Sequence, residues 1–142
     1  MSGQTKNVTL YHMNGCDHCH DMMPEWIKFK NLCKLHKDEI KDKINYELNV
    51  NDYEYYSNPK IVEQNNVSGF PTIKIGRSND ESEYKGERTA KSLLEAVLGP
   101  LNKVFIDRIT SGPIPQEGGD YLIMLRYSNI DLPQVKYKNS YK

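Results

Sequence analysis

Two cysteines two residues apart, in Cys16-Asp17-His18-Cys19, directly follow a short apolar run and directly precede a long amphipathic one. No other feature constrains this chain as strongly. A helix N-terminus favours negative charge, so a thiol placed there gives up its proton more readily than a free thiol, whose pKa is about 8.5. A second cysteine one helical turn further on is close enough to resolve a mixed disulfide formed at the first. The pattern suits thiol–disulfide exchange.

The flanking segments agree with such a junction. Val8 to Met13 alternates imperfectly and is closed by Asn14-Gly15, which predicts a buried strand ending in a tight turn. From Asp17 the period changes. Met22, Trp26, Phe29, Cys33, His36 and Ile40 fall four and three residues apart, which marks one face of a helix, and lysines and acids cover the rest. Pro24 inside this run removes a backbone hydrogen bond and bends the helix. Ile44 to Val50 alternates again and predicts a half-buried strand. Strand, helix and strand make a βαβ unit, with a right-handed crossover and parallel strands.

The second half has a different rhythm. Asn58-Pro59 reads as a capped helix start and Asn65-Asn66 as its stop. Ser68-Gly69-Phe70-Pro71 leads into a short strand, Thr72 to Ile75, and Glu83 to Lys85 returns as its antiparallel partner across a polar turn. Thr89 caps a last helix with Leu93, Leu94, Val97 and Leu98 on its apolar face, ended by Gly99-Pro100. Beyond it, Val104 to Ile109 and Tyr121 to Tyr127 are expected as strands on either side of a Gly- and Pro-rich loop, before a polar tail after Asp131. The order is βαβ, helix, ββα, with residues 102–142 as an appended hairpin or arm.

Bulk properties exclude several classes. With 142 residues the chain accommodates one compact domain and not two. A formal net charge of zero gives no case for nucleic acid or a membrane surface, and the short polar N-terminus carries no targeting or anchoring stretch. Three cysteines are too few for a secreted disulfide scaffold, and in a reducing compartment such a pair is catalytic or metal-binding. The cytoplasm, or a virus particle assembled there, is the expected location. Cys16 to His20 also spells the C-x-x-C-H of c-type haem attachment, but haem needs export and a packed helical shell. Zinc is the better metal rival, with Cys16, Cys19, His12 and His18 or His20 as candidate ligands. No second C-x-x-C or spaced His pair completes a tetrahedral set, so no metal is expected. Cys33 lies too far along the helix to bridge Cys19, since 14 residues span about 21 Å, and reads as a buried structural thiol.

Taken together, these motifs resemble the thioredoxin superfamily. The C-x-x-C at the strand-to-helix junction, Pro24 five residues after Cys19, the Phe70-Pro71-Thr72 step and the segment Tyr84-Lys85-Gly86-Glu87-Arg88 occur in the family's order. The last of these is most similar to the domains of protein disulfide isomerases. The resemblance covers roughly Val8 to Leu101 and implies a thioredoxin-like α/β fold over residues 8–101, a mixed sheet flanked by helices. It also implies a cis bond before Pro71, next to the cysteines, where the backbone pairs with an extended substrate peptide. Cis costs such a bond only about 0.5–1 kcal/mol over trans.

Two departures stand out. The family's aromatic residue before the first cysteine is Gly15 here, and the family's buried acid six positions before that cysteine is Leu10. Deprotonation of Cys19 must then go through water or a neighbouring histidine. His18 resembles the isomerase histidine that stabilises the first thiolate and makes the disulfide more oxidising, while Asp17 opposes it. The expected function is a thiol–disulfide oxidoreductase with Cys16 attacking, Cys19 resolving, Asp17 and His18 tuning, and Phe70 and Pro71 carrying the substrate. Its partners are protein thiols and disulfides and a protein that recycles the site; no cofactor is required. The rival is a thioredoxin-like binding or scaffold module with little turnover.

Overall fold

The computed structural model describes residues 4–77 and 79–111. Four strands, β1 (Thr5–His12), β2 (Glu47–Glu54), β3 (Thr72–Arg77) and β4 (Asp80–Glu83), form one sheet in the order β2-β1-β3-β4. β2 runs parallel to β1, as the βαβ reading requires, and β3 and β4 are antiparallel to their neighbours. β1 is one of the two inner strands and is buried from Val8 to His12, which is why its sequence only half alternates.

Among the described residues five α-helices accompany the sheet: α1 (Asp17–Leu35), α2 (Lys37–Ile44), α3 (Pro59–Gln64), α4 (Ala90–Leu98) and α5 (Lys103–Thr110). Val8 and Leu10, on one face of β1, join Trp26, Phe29 and Leu32 of α1, Ile40 of α2, Leu93 and Leu94 of α4, and Ile106 of α5 in a single core. This arrangement is the thioredoxin-like α/β fold. Glu25 of α1 accepts a 2.8 Å bond from the Ala90 N–H, while the Thr89 hydroxyl accepts the Ser92 N–H at 3.1 Å. Two free donors at the start of α4 are thereby satisfied, and α1 is joined to α4. No described helix is long and apolar enough to cross a membrane.

Several boundaries differ from those expected. The long helix is not continuous to Ile40: it breaks at His36 (φ −106°, ψ 29°) and resumes as α2. The break turns α2 so that Ile40 is only 1% exposed. Pro24 lies inside α1, as expected, on its exposed side. β2 begins three residues late and runs on to Glu54, and the return strand β4 occupies Asp80–Glu83 rather than Glu83 to Lys85. Asn58 stands at the N-cap of α3 without a side-chain capping bond.

The largest correction concerns Val104 to Ile109, expected as a strand and found as the helix α5. β-branched and aromatic residues gave it a strand-like composition. Its buried residues, Phe105, Ile106 and Ile109, instead share one helical face, while Lys103, Val104 and Arg108 are exposed. Arg108 also donates to Glu39 of α2 at 3.0 Å. Residues 102–111 thus complete the core. The expected strand Tyr121 to Tyr127, the loop before it and the polar tail lie outside the described residues.

Candidate active site

Cys16 is the N-cap of α1, in extended conformation (φ −90°, ψ 115°), with Asp17 the first helical residue. The turn before it needs Gly15 at φ +86°, a left-handed value that side chains disfavour. An aromatic residue would be strained in this backbone conformation. Cys16 Sγ accepts the Cys19 backbone N–H at 3.2 Å and approaches the Phe70 carbonyl at 3.7 Å. The Phe70-Pro71 bond is cis. Cys16, Cys19, Phe70 and Pro71 therefore meet at one place. Asp17 and His18 lie on the exposed side of the first helical turn.

The three thiols occupy different surroundings. Cys16 is half-buried, Cys19 is 1% exposed and Cys33 is 7% exposed. Burial, followed by the hydrogen bond to Cys16, pushes the Cys19 thiol up to about 12. The Met13 backbone N–H and the Arg88 charge pull the other way. Burial alone pushes Cys33 well above the ordinary thiol range.

On the α1 and β2 side of Cys16 opens a cleft of about 640 Å³ whose walls include His12, Lys30, Asp52 and Glu54. Asp52 pairs in register with Leu10, so an acid is present beside the expected position, but one strand away. Burial would raise the Asp52 carboxyl, yet 2.9 Å bonds from Trp26 Nε1 and Lys30 Nζ hold it below its usual value. Burial keeps His12 below the ordinary imidazole value, against the pull of Asp52 and Glu54. Among the described residues no three His, Cys, Asp or Glu side chains are grouped as metal ligands.

Asp52, Glu54, Lys30 and Arg88 were missed as site residues. The segment ending at Arg88 carried a signal through its resemblance to the isomerases. Asp52 and Glu54 gave none, because they lie beyond the expected strand end at Val50, in the part of β2 that the alternation did not reach. The Asp52 pair has a measurable consequence. Asp52→Ala should cost about 1–3 kcal/mol at pH 7, since Trp26 Nε1 loses its acceptor in a largely buried place. A depressed carboxyl value stabilises the fold above the unfolded value, about 3.9, and that contribution is lost as pH falls through the folded value. Urea unfolding should show the gap between variant and wild type narrowing below about pH 4. A gap of the same size at pH 2.5 would assign the cost to packing and to the Trp26 bond, which a neutral carboxyl still accepts, and none of it to the charge.

The thioredoxin family model matches residues 3–98. A protein disulfide-isomerase A6 homolog of Drosophila melanogaster is 34% identical over 98 residues, covering 68% of this chain and 20% of its own length. Homo sapiens protein disulfide-isomerase A6 is 32% identical over 96 residues, covering 66% and 19%. The chain thus spans about a fifth of the length of these curated relatives. Among solved structures, the first two thioredoxin domains of Naumovozyma dairenensis Eps1p superpose with a TM-score of 0.55 at 18% identity, over 75% of this chain and 40% of that one. Those of Saccharomyces cerevisiae Eps1p give 0.55 at 17% identity, over 66% and 34%. At such identity the likeness to the solved structures is one of fold.

Proposed function

The chain belongs to the thioredoxin family, and from that premise we propose that it exchanges disulfides with protein substrates through Cys16 and Cys19. One observation carries the reading: Cys16 Sγ stands between a helix-opening N–H and the carbonyl before a cis-proline. Cys16 is only half-buried, which leaves room for an attacking path.

In the forward direction the Cys16 thiolate attacks one sulfur of a substrate disulfide. A Cys16–substrate bond forms, the substrate bond breaks, and the departing sulfur leaves as a thiolate that takes up a proton. Cys19 then loses its proton and attacks Cys16 Sγ, expelling the second substrate thiol. Two electrons and two protons have passed from the dithiol to the substrate, and a partner dithiol restores the pair. His18 and Asp17 tune the potential from the exposed turn, and Phe70 and Pro71 carry the substrate backbone.

A scaffold role is favoured by one observation, the fully buried Leu10 where a proton acceptor for Cys19 would help. Insulin reduction by dithiothreitol separates the two. Acceleration over the reagent alone, abolished in Cys16→Ser, is the expected result. No acceleration by the wild-type chain would leave the scaffold.

A further inference from the structure

The loop that presents Cys16 has little side-chain anchorage of its own. Gly15 is exposed, and a Cβ built on it would meet nothing within 4 Å. Two residues before the cysteine, however, the Asn14 N–H donates to Glu54 Oε2 at 2.8 Å. The other oxygen, Oε1, accepts the Ser57 N–H at 2.9 Å. Glu54 is the last residue of β2, opposite His12, and the strand pairing continues one step beyond it through the Tyr55 N–H to the His12 carbonyl at 2.8 Å. Tyr55 in turn places its ring 5.7 Å from that of Phe70, whose carbonyl faces Cys16 Sγ.

These contacts close a ring. It runs from the nucleophile loop through both oxygens of one carboxylate to the loop at 55–58, then through Tyr55 to Phe70 and back to Cys16. We propose that Glu54 is a positioning residue that holds the Cys16 loop and the Phe70 side of the groove at a fixed spacing, so that a bound substrate disulfide lies in line with the Cys16 sulfur. The proposal rests on the reading of Cys16 as the attacking sulfur and adds a residue to it. Chemistry suits the part: a carboxylate is acceptor-only with two oxygens, and its bonds to backbone N–H groups are charge-assisted and directional. Gly15, free in φ, supplies no competing restraint.

The test compares Glu54→Ala and Glu54→Gln with the wild-type full-length chain. Three rates are measured: exchange with a disulfide-linked peptide, alkylation of Cys16 by iodoacetamide, and amide hydrogen exchange at Asn14 and Ser57. Glu54→Ala should release both amides and lower the peptide rate about tenfold, the equivalent of one charge-assisted bond. Alkylation needs no alignment with Phe70 and should change less than about twofold on the same scale. Glu54→Gln, with one carbonyl oxygen, should recover part of the peptide rate and protect one amide. Ile109→Val, which destabilises α5 away from the cleft, controls for simple loss of stability. An unchanged peptide rate in Glu54→Ala with both amides released would overturn the positioning role. So would equal losses in peptide exchange and alkylation, or a loss matched by Ile109→Val at equal stability. A wild-type chain inert towards the peptide would overturn the oxidoreductase reading itself, and the role with it.

Discussion

Cys19→Ser should accumulate a mixed disulfide with substrate through Cys16, whereas Cys16→Ser should trap none. The asymmetry follows from where the two sulfurs lie. Cys16 is half-buried at the N-cap, with one N–H aimed at it, and Cys19 is 1% exposed one turn inside. With its thiol pushed up to about 12, Cys19 is ionised to only about one part in 10⁵ at pH 7, so it does not compete as the first nucleophile. Cys33 is buried in apolar surroundings and competes even less. Alkylation of the reduced chain near pH 6 should therefore label Cys16 first.

The same burial gives a kinetic signature. Resolution of the wild-type mixed disulfide requires the Cys19 thiolate, whose fraction grows tenfold per pH unit below its pKa. The lifetime of that wild-type mixed disulfide should shorten about tenfold per unit from pH 6 to pH 9. A pH-independent lifetime would mean that a local base deprotonates Cys19 during attack, and His12 would be the first residue to substitute. Equal labelling of all three cysteines, or trapping through Cys19, would reverse the assigned order.

What was legible in the sequence followed how local the signal was. The strand-to-helix switch around Cys16 is written in adjacent residues, as are the Phe70-Pro71-Thr72 step and the Thr89 cap, and the structure has each of them. The break at His36 was not legible, because Met22 to Ile40 keeps a helical period straight through it. Only the need to bring Ile40 back against the core tells the two apart, and that is a tertiary demand. Among site residues, the cysteines and Pro71 declare themselves by motif. Asp52 and Glu54 do not, since their roles depend on a helix and a loop that pack against the end of β2 from elsewhere in the chain.

Ending the chain at Leu101, the limit of the region resembling thioredoxin, should abolish the stable fold, whereas ending it at Ser111 should preserve it. The first cut removes Phe105, Ile106 and Ile109, each at most 5% exposed in the shared core. Burial of one such side chain contributes about 1.5–3 kcal/mol, and the cut also uncovers the α4 surface on which they pack. The loss, of order 5–9 kcal/mol, is comparable with the whole stability of about 5–15 kcal/mol of a domain this size. The exposed Arg108–Glu39 bond adds little to it. Thermal melts followed by circular dichroism should show a cooperative transition for 1–111 and none above 25 °C for 1–101. Dithiol chemistry in the shorter chain should then vanish through unfolding, without any catalytic group having been removed. A 1–101 chain melting within a few degrees of 1–111 would show that α5 lies on the core without stabilising it.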